Sequence, residues 1–308
     1  MKRLILSLLC ISLLSGLEAG AATKQTSISL PPFTGINVTD GFEVSIVRGS
    51  DYRVLLSVEE AFADYVVCNV NGKVMNLELN ERSVPAEVRR QFRSKGTPDP
   101  VFSAVIYVPE LLQSVTLADR AVLKDTEDVF DKARVTFELS SSASVQRLSV
   151  SSQSVRISMR NKSVADFIVA CNVLEAETQN SASLNVEETS QDSDYSLLGS
   201  SKITAKSRTA NLKVRTKAGS VLRISGSGDK ASYELSGTSE VYASDFEVPD
   251  AVVNMSSVCM IMQSAYRTLK VSLNGGSTLF FANDPQIIVD NIKSSTMTRM
   301  SGGSSAKL

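Results

Sequence analysis

The chain repeats one short phrase about every 19 residues, and this period constrains its fold more than any other feature. Each copy is a small polar tetrad, rich in Ser and Gly, followed by an apolar anchor residue. A constant repeat length with variable residues is typical of a solenoid, because every unit then needs the same shape rather than the same chemistry. The anchors are Val122, Val145, Val164, Leu184, Ile203, Val221, Val241, Cys259, Leu279 and Met297.

The repeat units alternate apolar and polar residues, as in 155–157 and 212–214, and show no helical spacing. This alternation predicts an all-β protein. Two architectures fit it: a β-helix, in which each unit is one coil, and an antiparallel meander or sandwich, in which each unit is a hairpin. The steady phase of the anchors favours the β-helix, because like residues would then stack about 4.8 Å apart into an internal ladder.

Differences in composition and sequence pattern divide the chain into four segments. Residues 1–21 have the form of a secretory signal peptide, and residues 22–116 hold longer and more varied strands. Residues 117–300 carry the repeats, and residues 301–308 are a Ser/Gly-rich tail predicted to be flexible. Because the end turns of a solenoid need closure, residues 22–116 are predicted to form an N-terminal β cap.

The first segment predicts export to the periplasm, the outer cell surface or the extracellular space. It has a charged start at Lys2 and Arg3, an apolar run over 4–14 and small residues at 19–21. We find no second apolar stretch, so no transmembrane segment is expected after the signal is removed. The chain carries 32 basic and 33 acidic residues, which gives no indication of a nucleic-acid partner.

The residue inventory offers little catalytic or metal-binding chemistry. The chain has no His, the commonest general base and metal ligand, and we predict no catalytic residue, cofactor or metal. Two acidic segments, 125–131 and 187–194, are candidate calcium turns, although neither has the spacing of a known calcium loop. Outside the signal, Cys68, Cys171 and Cys259 make an odd count, which favours buried free thiols and leaves open one disulfide pair.

Two groups of side chains are candidate partner contacts. A basic loop over 82–100 could hold an anionic glycan or a partner, or simply be solvated. Tyrosines in the repeats could stack on a sugar ring, or pack in the core. The candidates are Arg89, Arg90 and Arg93 in the loop, and Tyr195, Tyr233 and Tyr242 in the repeats.

Three short motifs occur in order: FTGINV at 33–38, GFEVSI at 41–46 and IYVPEL at 106–111. With the repeats that follow, they resemble the family described as "putative auto-transporter adhesin, head GIN domain", over about residues 30–300. The resemblance implies a single-stranded right-handed β-helix and an envelope or surface setting. It supplies no catalytic residues to carry over.

Three functions are compatible with these observations. The first is a non-enzymatic, adhesin-like envelope protein that presents a rigid β-helix to a glycan or protein partner. The second is a structural scaffold in the periplasm, and the third is a polysaccharide-active enzyme of the pectinase or lyase type. Such an enzyme needs neighbouring carboxylates, or a carboxylate with Arg or Lys, on one face, and the positions two residues after the anchors supply no two carboxylates on neighbouring units. We therefore favour the binding protein.

Overall fold

The computed structural model describes residues 23–92 and 99–300. It is all-β, with 67% strand and 4% helix, and its stacked parallel coils form a β-solenoid of about 10 turns with ~19 residues per turn. The predicted β-helix is therefore confirmed, and the antiparallel meander is not adopted. The predicted signal peptide at 1–21 and the tail at 301–308 lie outside the described residues.

The first half of the chain contains most of the shorter strands: β1 (Thr23–Ser29), β2 (Gly35–Val38), β3 (Glu43–Arg48), β4 (Arg53–Glu59), β5 (Val66–Asn71), β6 (Val74–Leu79), β7 (Phe102–Val108), β8 (Ser114–Leu117), β9 (Val122–Thr126), β10 (Arg134–Leu139) and β11 (Ser144–Ser151). The second half contains β12 (Ser154–Met159), β13 (Val164–Ala170), β14 (Val173–Gln179), β15 (Ser183–Leu198), β16 (Lys202–Lys217), β17 (Val221–Leu235), β18 (Glu240–Met255), β19 (Met260–Asn274), β20 (Thr278–Phe281), β21 (Gln286–Lys293) and β22 (Thr296–Arg299). A 3₁₀ helix spans Glu60–Tyr65, and helix α1 spans Ala86–Gln91.

The strands stack into two parallel sheets, and each turn contributes one strand to each sheet. Sheet A runs in the order β6, β2, β8, β10, β12 and β14, then the C-terminal halves of β15 to β19, then β21. Sheet B runs in the order β7, β3, β9, β11 and β13, then the N-terminal halves of β15 to β19, then β20 and β22.

An apolar ladder runs through the interior of sheet B, because in-register parallel strands place like positions above one another. It continues to the last turn without a break. Its members are Leu123, Val145, Ala165, Leu184, Ile203, Leu222, Val241, Ile261, Leu279 and Met297.

Four predicted anchors are wrong in phase. Val122, Val164 and Val221 point outward, and the residue after each one is the ladder member. Val164 is 49% exposed. Cys259 is buried, but it lies at the corner, two residues before the ladder member Ile261. A shift of one residue reverses a strand side chain, so an apolar residue beside a small ladder member such as Ala165 is easily mistaken for it.

The polar tetrads form the corner between sheet A and sheet B, and each corner contains a residue with a left-handed backbone. Ser, Asn and Gly tolerate tight turns through local hydrogen bonds or the absence of a Cβ, which explains the composition of the tetrads. The recurring left-handed residues are Ser141, Asn161, Asn180, Gly199, Ala218, Gly237, Ser257, Gly275 and Ser294.

The N-terminal end is closed by antiparallel strands. β5 pairs with the outer edge of β6, β4 with that of β7, and β1 with β4. However, β2 and β3 stack in parallel between β6 and β7 on one side and β8 and β9 on the other. The region predicted as a cap, 22–116, therefore also contains solenoid strands, two of them out of chain order.

Among the described residues, nothing covers the C-terminal end of the solenoid. Every residue of β21 is exposed, including Ile287 at 37%, Val289 at 50% and Ile292 at 42%. These three follow Leu269, Val271 and Leu273, which are fully buried in the previous turn. Within residues 23–92 and 99–300 no strand pairs with the outer edge of β21 or β22.

Candidate binding face on sheet B

Tyr195 and Tyr233 are not available to a ligand, which corrects their prediction as stacking platforms. Both are 0% exposed and occupy the same inward position of sheet A, on strands two turns apart. The alternation of side chains around Tyr195 indicates that it faces inward, because Ser193 and Leu197 lie on the same buried side of the strand. Of the two roles that the sequence leaves open for these tyrosines, both adopt core packing.

The described residues of the predicted basic loop, 82–92 and 99–100, lie beside acidic side chains. Arg89 and Arg90 lie on the exposed helix α1, and Arg93 lies outside the described residues. Arg89 borders a cleft of about 640 Å³ beside the cap. The cleft also carries Arg120 and four acidic residues, namely Asp40, Glu43, Glu81 and Asp99. Positive and negative charge are therefore mixed where an anionic glycan would need a basic surface.

In each acidic segment, a carboxylate is bound by groups of the protein itself. In 125–131, Asp131 accepts backbone N–H bonds at 2.7 and 3.1 Å, from Ala133 and Arg134, and these bonds lower the pKa of its carboxyl group. In 187–194, Asp194 pairs with Arg215 at 2.8 Å. Within 23–92 and 99–300, no group of three acidic or cysteine side chains is arranged to hold a metal ion.

A buried carboxylate occupies the corner where β15 passes from sheet B to sheet A. The Glu188 side chain accepts hydrogen bonds from the Tyr195 and Ser207 hydroxyls at 2.7 and 2.6 Å, and from Ser193 at 2.6 Å. Burial, reinforced by the neighbouring carboxylate, raises the pKa of Tyr195 well above its ordinary value and keeps this donor protonated. The four side chains of this network are buried, and they satisfy one another's hydrogen bonds inside the solenoid.

The cysteines are free. Cys259 is buried, and Cys68 and Cys171 are half-buried. Burial raises the pKa of Cys68 to about 11 and that of Cys171 to about 12. Both thiols are therefore protonated at neutral pH, which makes them poor nucleophiles and poor metal ligands.

Tyr242 is the predicted tyrosine that does reach the surface, and it belongs to an outward ladder on sheet B. Arg223, Tyr242, Met262 and Phe280 are in register on four successive turns. Arg223 is exposed, and the other three are half-buried. Val221 and Met260 lie in the adjacent outward row. We call these six residues the sheet B face.

Arg223 and Glu240 hold Tyr242 in place. The Arg223 guanidinium lies over the tyrosine ring, 4.5 Å from its centroid. The Tyr242 hydroxyl donates a hydrogen bond of 2.8 Å to Glu240, and this bond, more than burial, raises the pKa of the phenol. One ring face and the hydroxyl are thus already engaged within the protein.

Comparison with family models shows the family of the chain. Two overlapping matches to the family model described as "Putative auto-transporter adhesin, head GIN domain" cover residues 32–207 and 159–285. The protein belongs to this family. No curated protein matches the chain.

Solved structures align with most of this head GIN domain protein. A "putative adhesin" from Parabacteroides merdae aligns with TM-score 0.50 and 12% identity, over 91% of this chain and 96% of the other. A "putative adhesin" from Parabacteroides distasonis gives TM-score 0.48 at 12% identity, covering 91% and 98%. A "putative lipid binding protein" from the same species gives 0.43 at 15%, covering 91% and 97%. At such identities the likeness concerns the fold alone.

Met262, Phe280 and Arg223 were missed as site residues in this head GIN domain. Positions two residues after an inward-facing anchor lie on the same side of the strand as the anchor, so those counted from Val241 and Cys259 are Ala243 and Ile261, which are buried. The position directly after each true ladder member is the outward one, and it selects Arg223, Tyr242, Met262 and Phe280 at once. In the part of the chain that is described, no helix is long and apolar enough to cross a membrane.

Proposed function

We propose that the protein is an exported, non-enzymatic adhesin that binds a protein partner through the sheet B face. The observation that carries this proposal is the row of Arg223, Tyr242, Met262 and Phe280, which face outward in register on four successive turns of sheet B. Membership of an adhesin family supports a binding role at a surface. Because the row lies on a hydrogen-bonded sheet, its backbone is already ordered, and binding a partner costs little additional conformational entropy.

The chemistry of the face favours a protein over a glycan. Tyr, Phe, Met and Arg are the residues enriched in protein–protein interfaces, and methionine adapts its shape to a partner. A sugar ring is usually held by a free aromatic face together with polar contacts, whereas Arg223 already covers one face of Tyr242. The Tyr242 hydroxyl is likewise occupied by Glu240.

A hydrolase or lyase site is not supported by the carboxylates of the other sheet. Glu175 and Asp194 are in register on neighbouring turns of sheet A, the arrangement such an enzyme requires. Each one, however, forms an ion pair with an arginine: Glu175 with Arg156 at 2.9 Å and Asp194 with Arg215 at 2.8 Å. This supports a non-enzymatic function.

Binding is tested with purified protein on a surface-protein array and a glycan array, comparing wild type with Met262→Lys. We expect binding to a protein target that survives periodate oxidation of glycans and falls at least tenfold with Met262→Lys, because a charge would be buried in the apolar contact. Val164→Lys, at another outward position of sheet B, should bind like wild type. Binding confined to glycans, or binding insensitive to Met262→Lys, would contradict the proposal.

The location is tested by protease treatment of intact source cells followed by immunodetection. Loss of the protein from intact cells is expected for an adhesin. Protection until the outer membrane is permeabilised would leave the periplasmic scaffold as the better account.

A further inference from the structure

The open C-terminal end of the solenoid is a second surface, separate from the sheet B face. Its last strands, β21 and β22, present unpaired backbone edges, and the inward side chains Ile287, Val289 and Ile292 are exposed where their counterparts one turn earlier are buried. An uncovered edge strand with apolar side chains is a template for pairing with another chain. The end of the interior core is thus exposed at one end of the rod.

We propose that a second copy of this chain covers this end, forming a closed two-fold dimer by antiparallel pairing of β21 with itself. This inference does not depend on the proposed function. The occupant must bring a strand edge and apolar side chains to match those of β21, and another copy of the same end brings both.

The sequence of β21 is complementary to itself in one antiparallel register. A two-fold axis between Val289 and Asp290 places Ile287 opposite Ile292 and Gln286 opposite Lys293. The register keeps faces matched: Ile287 and Ile292 continue the buried positions of Leu269 and Leu273, so both point inward. The match is possible because pairing with β19 shifts register between Val271 and Ser272, which lets one residue of β21 bulge.

Charges on β21 do not oppose this pairing. Asp290 lies opposite Val289 of the other copy and is already paired with Lys270 of its own chain at 2.9 Å. Lys293 lies opposite an uncharged glutamine. The two Asp290 residues lie diagonally across the axis, each next to its own Lys270, and no two like charges lie directly opposite each other, the arrangement that destabilises a cross-strand pair.

Two other occupants fit less well. The eight residues that follow Met300, SGGSSAKL, contain only two apolar residues, Ala306 and Leu308, too few to replace the apolar contacts of two strands. Head-to-tail stacking of copies would need an open N-terminal end, but β4 and β5 occupy the outer edges of β7 and β6 there. With one open end for each copy, association closes at a dimer and cannot extend into a filament.

The mass of the full mature chain is measured by analytical ultracentrifugation over a wide concentration range. We expect a monomer–dimer equilibrium for the wild type and a monomer at every concentration for Val289→Asp. Val164→Asp changes a valine of matched exposure, 49% against 50%, and should dimerise like wild type. A chain truncated after Met300 should also dimerise.

The register is tested by combining Ile287→Cys and Ile292→Cys in one chain. These residues face each other across the proposed axis, so we expect a disulfide-linked dimer on non-reducing gels. Combining Ile287→Cys with Val164→Cys should give no such dimer. A wild type that stays monomeric, dimerisation that appears only after truncation at Met300, or a dimer unaffected by Val289→Asp would each overturn the proposal.

Discussion

At the scale of single residues, the least expected feature is a carboxylate inside the apolar coil. Glu188 is 5% exposed, and among the described residues it accepts hydrogen bonds from hydroxyl groups rather than from a cation. A buried charge is tolerated only if its hydrogen-bonding capacity is filled, because removing one donor exposes the full cost of desolvation. The hydroxyls of the Ser- and Thr-rich repeats are therefore structural at this corner.

Replacing Tyr195 by Phe should lower the free energy of unfolding by about 1.5–3 kcal/mol, since it removes a hydrogen bond to a buried charge. Tyr233→Phe is the matched control: Tyr233 is equally buried, and its hydroxyl makes no hydrogen bond. That change should be neutral or slightly stabilising. Urea denaturation of both variants measures the difference, and equal losses would show that Glu188 does not rely on Tyr195.

At the scale of elements, the stability of the solenoid depends on its corners as well as on its strands. Gly237 has a left-handed backbone, with φ of 79°, and a Cβ there would lie 2.7 Å from the backbone nitrogen of Ala218 in the preceding corner. Both the conformation and the close stacking of corners require glycine at this position.

Gly237→Ala should destabilise the protein by about 2 kcal/mol or more, combining left-handed strain with the backbone clash. Gly219→Ala provides the control, because its Cβ would meet nothing closer than Thr238 Oγ1 at 3.7 Å and its φ is not positive. Thermal unfolding should show a lowered melting temperature for the first variant alone. A similar decrease in both would contradict the assignment of the loss to the left-handed backbone and close contact of Gly237.

The period of the chain predicted the solenoid, since parallel stacking demands a constant number of residues per turn. It could not fix the phase of each strand, because Val164 and the adjacent Ala165 are both apolar and only one of them is buried. The outward row through Tyr242 depends on that phase, so the proposed binding face could not be predicted from the sequence. The cap boundary was also beyond prediction, because β6 and β7 join the stack out of chain order.

At the scale of the whole molecule, stability should fall from the middle of the rod toward its open end. A central strand such as β16 pairs on both sides, with β15 and β17, whereas β21 pairs only with β19 among the described strands. Local opening is easiest where few contacts must be broken.

We therefore expect amide hydrogens of β21 and β22 to exchange fastest among the solenoid strands in the Val289→Asp variant, and those of β16 to exchange slowly. Hydrogen exchange followed by mass spectrometry measures both in one experiment. Uniform protection along the rod would contradict this gradient and would indicate that the turns open together.

The strands β6 and β7, which stack outside β2 and β3, also bear on how the protein is made. During synthesis β2 and β3 leave the ribosome first, yet their outer neighbours emerge only when Val108 has been added. From β8 onward each new turn finds its neighbour already complete. We therefore expect one long-range closure to form first, after which the remaining turns can fold one at a time in chain order toward the C-terminal end.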